Sequence, residues 1–112
     1  MGECIFCKII RGEIPASVVY ESADALAFDD VNPMAPVHVV VVPKVHVATL
    51  MDVKDGGMME GLMTAVQEVA KIKGVAAQGF RTVINCNEDG GQVIFHLHIH
   101  VLGGRKLSDD MG

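Results

Sequence analysis

Tryptophan is absent from these 112 residues and tyrosine occurs once. With so few large rings, the chain offers no series of aromatic platforms on which single-stranded nucleic acid would stack. Basic residues are in deficit as well: nine Lys and Arg stand against fourteen Asp and Glu, a formal net charge of −5. That balance argues against a broad surface for duplex nucleic acid or anionic membrane, so an anionic ligand would need a local pocket. Cysteine is sparse and odd in number, with Cys4, Cys7 and Cys86, which does not fit the disulfide scaffold of a small secreted domain and points to reduced thiols. No apolar run approaches the roughly 20 residues that span a bilayer, and the start, Met1-Gly2-Glu3-Cys4-Ile5-Phe6-Cys7-Lys8, is neither a signal nor a transit peptide. A soluble protein of the cytoplasm is therefore expected, with the nucleus also open to it. Linkers, repeats and low-complexity tracts are missing too, so residues 1–112 read as one domain. Half of the residues are hydrophobic and 21% charged, which excludes intrinsic disorder.

What the chain does contain is regular patterning. Ile5, Phe6, Ile9 and Ile10 stand at helical spacing before the breaker Gly12 and Pro15, predicting a short helix over residues 4–10. Residues 18–21 and 25–29 are β-prone runs separated by Ser22-Ala23-Asp24, a predicted hairpin. The two prolines of residues 31–36 make that stretch a loop. Residues 38–42 are almost wholly β-branched and end at Pro43, which suits a central strand buried on both faces. From residue 57 to 73, Met59, Leu62, Met63, Val66, Val69 and Ala70 recur at intervals of three and four, with Gly74 as a stop: one long helix. Met58, Ala65 and Ile72 widen its apolar arc, which fits either a helix deep in its own core or one that meets a second subunit. Residues 80–85 and 93–102 read as strands around a polar Gly-Gly loop. The expected class is α+β, a mostly antiparallel five-stranded sheet with one long and one short helix.

Histidine is abundant: there are five, and three lie in His96-Leu97-His98-Ile99-His100-Val101-Leu102. On a strand this alternation puts the three imidazoles on one face and Leu97, Ile99 and Val101 on the other. An exposed polar face explains one histidine but not three in strict alternation. A catalytic zinc is chemically reasonable, with two row histidines and His38 as third ligand. So is nucleophilic catalysis, in which a neutral imidazole attacks phosphorus and is later released by water. The Gly90-Gly91-Gln92 loop offers backbone N–H groups and a side-chain amide for an anionic oxygen, which favours phosphorus.

These residues resemble the histidine-triad (HIT) family, whose signature alternates three histidines with apolar residues and ends in two apolar residues. The resemblance extends to Cys4-Ile5-Phe6-Cys7-Lys8-Ile9-Ile10-Arg11-Gly12-Glu13-Ile14-Pro15-Ala16, Ala27-Phe28-Asp29-Asp30-Val31, Pro36-Val37-His38-Val39-Val40-Val41-Val42-Pro43-Lys44 and Gly90-Gly91-Gln92, which are similar to the Hint branch. It implies a homodimeric purine-nucleoside phosphoramidate hydrolase. His98 would take the nucleotidyl group from an AMP-linked amine, and water would then liberate AMP. By the same resemblance His100 would bond to phosphate oxygens and direct the reaction to hydrolysis, and His38 would support the row. Asn85, Gly91, Gln92 and residue 93 would lie near the phosphate, Asp30 would hold the ribose hydroxyls, and Ile5, Phe6, Phe28 and Val31 would form the purine slot. Two alternatives within this resemblance are a nucleotide-binding module with little turnover and a dinucleotide hydrolase of a neighbouring branch. One departure is Val93, where Hint sequences usually carry Ser; Val supplies neither the donor nor the acceptor of that hydroxyl, so weaker catalysis with retained nucleotide binding is expected. The tail also lacks the Trp-Pro-Pro-Gly ending of many Hint proteins.

Cys4-x-x-Cys7 alone is half of a zinc site. Some relatives with this cysteine pair complete a structural zinc site with a histidine of a Pro-Lys-x-His segment and the first histidine of the triad. Here the resemblance implies Cys4, Cys7, His46 and His96 as zinc ligands, with no metal required for catalysis. The other reading is of two buried cysteines and a loop histidine.

Overall fold

The computed structural model describes residues 4–111; residues 1–3 and 112, part of the single-domain and N-terminal readings, lie outside them. The chain runs α1 (Ile5–Ile10), β1 (Val18–Glu21), β2 (Ala25–Asp29), β3 (Val37–Pro43), a 3₁₀ turn (Leu50–Asp52), α2 (Gly56–Ile72), β4 (Phe80–Val83) and β5 (Ile99–Gly103). The strands form one sheet in the order β1-β2-β3-β5-β4, with every neighbouring pair antiparallel. This is the expected α+β class. No helix among the described residues is long and apolar enough to cross a membrane.

Each helix has a local reason to start where it does. The Cys4 side chain caps α1 by accepting from the backbone N–H of Cys7, and the Asp55 carboxylate caps α2 by accepting from that of Gly57. At its far end α2 closes with the Val75 N–H bonded back to the Ala70 carbonyl at 2.9 Å, across the predicted stop Gly74. The periodicity of α2 buries Leu62, Ala65, Val66, Val69 and Ala70. These pack on one face of the sheet against Ala25, Ala27, Val39, Val41, Leu97, Ile99 and Val101. Met63 and Ile72 lie outside that core, 42% and 55% exposed.

The opposite face carries a smaller cluster: Phe6 of α1 packs with Leu26, Phe28, Val40 and Val42. The period of two therefore assigns β3 to two cores at once, Val39 and Val41 to α2, Val40 and Val42 to α1. His38 shares the α1 face by the same alternation. So do His98 and His100, since Leu97, Ile99 and Val101 point into the α2 core.

Two strand boundaries differ from expectation by more than one residue. Regular strand begins at Ile99 rather than at residue 93, and β4 ends at Val83 rather than at residue 85. The ladder between β3 and β5 opens with Val41 opposite Ile99, two residues before β3 ends at Pro43; by that register His98 and Leu97 still run alongside Val42 and Pro43, and only residues before Leu97 pass beyond the end of β3. Outside the ladder, the Leu97 N–H donates to the Val47 carbonyl at 2.8 Å. The alternation of buried faces continues through Leu97 and His98 without the ladder. The 3₁₀ turn was not expected; Thr49 and Asp52 form its capping box.

Candidate active site

Backbone partners of His98 and His38 fix which ring nitrogen carries the proton, and His38 passes that choice on to His100. His98 Nδ1 lies 2.8 Å from the carbonyl oxygen of His96. A carbonyl only accepts, so Nδ1 is protonated and the lone pair is on Nε2. At the other end of the row, the Met34 N–H donates to His38 Nδ1 at 3.0 Å. His38 therefore carries its proton on Nε2, which is 2.9 Å from His100 Nδ1. That nitrogen must accept, leaving His100 with an Nε2–H to donate. The carboxylate of Asp30 stands 3.3 Å from His38 Nε2 and favours the same tautomer. His98 and His100 thus differ in role although they stand two residues apart: one offers a lone pair, the other a proton donor.

Burial favours the neutral form of His38 and His100. His38 is pushed below the ordinary imidazole range by burial, against the pull of Asp30. His100 is lowered to about 4, first by burial and then by the adjacent His98 and His38. Below the row opens a cleft of about 550 Å³, lined by Ile5, Phe6, Phe28, Asp30, Val31, His98 and His100 among others. The sequence had singled out all seven. It had missed Ile9 and Ile94, which also line the cleft; Ile9 was signalled by its position one helical turn after Ile5 and Phe6, whereas nothing local marks Ile94. Phe6 meets Phe28 edge-on at 5.6 Å and His98 at 5.1 Å. One Asp30 oxygen accepts from the Asn32 N–H at 2.8 Å, which fixes the carboxylate at the cleft wall.

Four expected phosphate-side residues do not line this cleft. Asn85 Nδ2 donates to the Gly90 carbonyl at 2.7 Å. Gln92 is buried and its amide is committed to the loop: Nε2 donates to the Ala48 and Ile94 carbonyls, and Oε1 accepts from the Asn87 N–H. The expectation that this amide is free for an anionic oxygen is corrected, because three backbone groups already use it. Gly90 and Gly91 close the same loop. A Cβ at Gly90 would stand 2.5 Å from the Cys86 carbonyl oxygen, and Gly91 has φ +82°. Val93 is 86% exposed.

On the other side of the row, Cys4, Cys7, His46 and His96 bring four potential ligand atoms within 4.8 Å of one another. Cys4 Sγ and His96 Nδ1 are 3.3 Å apart, Cys7 Sγ and His46 Nδ1 3.3 Å, and the two histidine Nδ1 atoms 3.1 Å. Tetrahedral zinc with bonds of about 2.0 Å to nitrogen and 2.3 Å to sulfur gives ligand separations of about 3.3 to 3.8 Å, so the donor set fits such an ion. His96 is fully buried and its Nε2 bonds to the Pro43 carbonyl at 2.9 Å, which leaves the Nδ1 lone pair facing the cysteines. Burial, and then the adjacent Cys4, push the Cys7 thiol up, so a thiolate here calls for a compensating cation. Asp30, His38 and His100 form a second close group. There the Met34 N–H occupies His38 Nδ1 and leaves a proton on the nitrogen a metal would need, which argues against the catalytic-zinc reading.

An α+β sheet that presents paired imidazoles of opposite hydrogen-bonding sense over an apolar cleft defines the class of protein. The HIT domain family matches residues 11–107, and the chain belongs to that family. HitA of Neisseria gonorrhoeae is 45% identical over 105 residues, covering 92% of this chain and 97% of that one. Purine nucleoside phosphoramidase of Escherichia coli strain K12 is 39% identical over 107 residues, covering 94% of this chain and 90% of that one. Among solved structures, a HIT family hydrolase from Legionella pneumophila superposes with a TM-score of 0.94 at 42% identity, covering 98% of this chain and 100% of that one.

Proposed function

We propose that this protein hydrolyses AMP-linked phosphoramidates through a nucleotidyl-histidine intermediate. The observation that carries the reading is the His98 Nδ1 to His96 carbonyl contact of 2.8 Å, because it makes His98 Nε2 a nucleophile without any proton having to leave. In the first step Nε2 bonds to the α-phosphorus and the P–N bond to the leaving amine breaks, its electron pair going to the amine nitrogen, which takes up a proton. In the second, water attacks phosphorus, the bond to His98 breaks and AMP is released. The His100 Nε2–H stabilises charge on the phosphoryl oxygens. Ile5, Phe6, Phe28 and Val31 form the slot for the purine. Asp30 accepts from the ribose hydroxyls. The E. coli relative named as a purine nucleoside phosphoramidase supports this kind of chemistry. Asn85, Gly91 and Gln92 shape the phosphate side by holding the loop, and Val93 stands exposed beside it.

The same reading gives Cys4, Cys7, His46 and His96 a structural zinc, which ties α1 to the sheet and requires reduced cysteines, hence a cytoplasmic location. It takes the working unit as a homodimer. The exposed Met63 and Ile72 on α2 and Phe80 on the edge strand β4 support that view.

The deciding experiment is hydrolysis of an AMP-amine substrate by wild type and His98→Ala, with acid-quench capture of the ³²P-labelled protein. Turnover with label on His98, and at least a thousandfold loss in the variant, is expected. Full activity of His98→Ala would sink the proposal. AMP binding without cleavage of any leaving group would assign a binding module instead, the outcome for which Val93 speaks.

A further inference from the structure

The orientation of the histidine row depends on an N–H in a loop. His38 owes its Nε2 proton to the Met34 N–H on its Nδ1, and Met34 belongs to the irregular segment between β2 and β3, where Val31 and Met34 are 89% and 73% exposed. A segment with so little burial does not hold a backbone amide on target by itself. Two residues after β5 reach it. Val37 and Gly103 are paired across the sheet, so the chain leaving β5 runs beside the chain entering β3. Gly104 has φ +92°, and a Cβ there would stand 2.9 Å from Pro36 Cβ and 3.4 Å from the Val37 nitrogen. Arg105, next along, donates from Nη2 to the Met34 carbonyl at 3.4 Å.

We propose that Gly104 and Arg105 are positioning residues: they pin the segment that carries Met34, Arg105 at the Met34 carbonyl and Gly104 at Pro36 and Val37, and through it they set the tautomers of His38 and His100. Neither touches the cleft. Their effect follows from proton placement alone. When Met34 moves away, His38 Nδ1 loses its donor and the ring is free to carry its proton there. Nε2 then presents a lone pair to His100 Nδ1, so His100 moves its own proton to Nδ1 to restore the bond. No proton enters or leaves the pair, yet His100 now turns a lone pair instead of a donor toward a phosphoryl oxygen. Asp30 opposes this exchange from 3.3 Å, so the expected result of unpinning is a mixture of tautomers.

This inference rests on the proposed reaction for its rate prediction but not for its structural one, and the test separates the two. Long-range ¹H–¹⁵N correlation spectra of the imidazoles are recorded for the wild type, Arg105→Ala, Arg105→Lys and Gly104→Ala, with His38 assigned from a His38→Gln variant. The wild type is expected to show His38 protonated at Nε2. Arg105→Ala should show a new Nδ1–H population and, with an AMP-amine substrate, a kcat lowered about three- to tenfold at unchanged KM, the worth of roughly one hydrogen bond. Arg105→Lys keeps a donor and should recover part of both. Gly104→Ala should shift the same signals, and the double variant should be no worse than the poorer single one, because both act through the one segment that carries Met34. A wild-type His38 protonated at Nδ1, or an Arg105→Ala spectrum identical to the wild type, would overturn the proposal. So would a fall in kcat with His38 unchanged. Absence of any turnover or of the His98 adduct condemns the proposed reaction instead, and the spectra still decide the pinning.

Discussion

The ring of Phe6 meets the ring of His98 edge-on at 5.1 Å and that of His96 at 5.8 Å, so one side chain of α1 braces both the proposed nucleophile and a member of the cysteine-histidine cluster. Phe6→Ala removes that brace and opens a cavity among Leu26, Phe28, Val40 and Val42. The expected destabilisation is about 3 kcal/mol, the low end for a buried phenylalanine, read from urea unfolding, together with weaker AMP binding by calorimetry. Unchanged AMP affinity would argue that the slot does not use Phe6.

Removal of the proposed structural zinc is expected to lower stability and leave the chemistry in place. Chelation, or the Cys4→Ser/Cys7→Ser double variant, should abolish stoichiometric zinc in elemental analysis and lower Tm by about 10 °C or more, given linkage of a few kcal/mol in a domain of this size. Turnover measured well below the lowered Tm should persist. Loss of activity at a temperature where the protein is still folded would return a catalytic role to the metal.

Acid should weaken the fold through the buried row. His100 titrates at about 4 in the folded chain against an ordinary 6.5, and His38 is displaced in the same direction. Such a group takes up its proton first when unfolded, so its contribution to stability is complete above about pH 6.5 and is lost progressively as pH falls to about 4. Urea midpoints at pH 7.5, 6.0 and 5.0 should fall more steeply for the wild type than for His100→Asn. Parallel curves would contradict the assignment.

Gln92 should matter to folding before it matters to nucleotide. Its replacement by Ala strips partners from the Asn87 N–H and from the Ala48 and Ile94 carbonyls. A loss of about 1 to 3 kcal/mol is expected for buried groups left unpaired, visible in denaturant unfolding. A stability equal to wild type would mean that water replaces the amide and that the side chain is free for another task.

Val93→Ser returns a hydroxyl to an exposed position beside the loop. Turnover of an AMP-amine substrate should rise by about three- to tenfold, the value of a single hydrogen bond, with little change in Tm. An unchanged or lower rate would show that the serine of other Hint proteins does nothing that this chain lacks.

The elements that local patterning specifies were legible: the β-prone runs of β1 and β2, the β-branched β3 and the three-four periodicity of α2. The seven cleft residues were legible for another reason, since motif and resemblance coincide around them. What failed was whatever depends on a distant partner. The alternation in residues 93–102 predicts which way side chains point, but not that the ladder with β3 opens only at Val41 and Ile99 and leaves residues 93–98 outside it. Gln92 reads as a polar loop residue because Ala48, 44 residues away, is invisible from its neighbourhood. The Met34 N–H that orients His38 carries no side-chain signal at all. The capping box Thr49-x-x-Asp52 was readable, and would have placed the 3₁₀ turn.

The division of β3 between two cores has a consequence for how this protein can change. Val39 and Val41 belong to the large core under α2, whereas Val40 and Val42 pack with Phe6 and Phe28, and Val40 lines the cleft. Alternate positions of a single strand therefore answer to different selective pressures, one set to the persistence of the fold and the other to the shape of what the cleft admits. Substitutions at Val40, with Ile94 beside it, can remodel ligand preference while the larger core under α2 stays untouched.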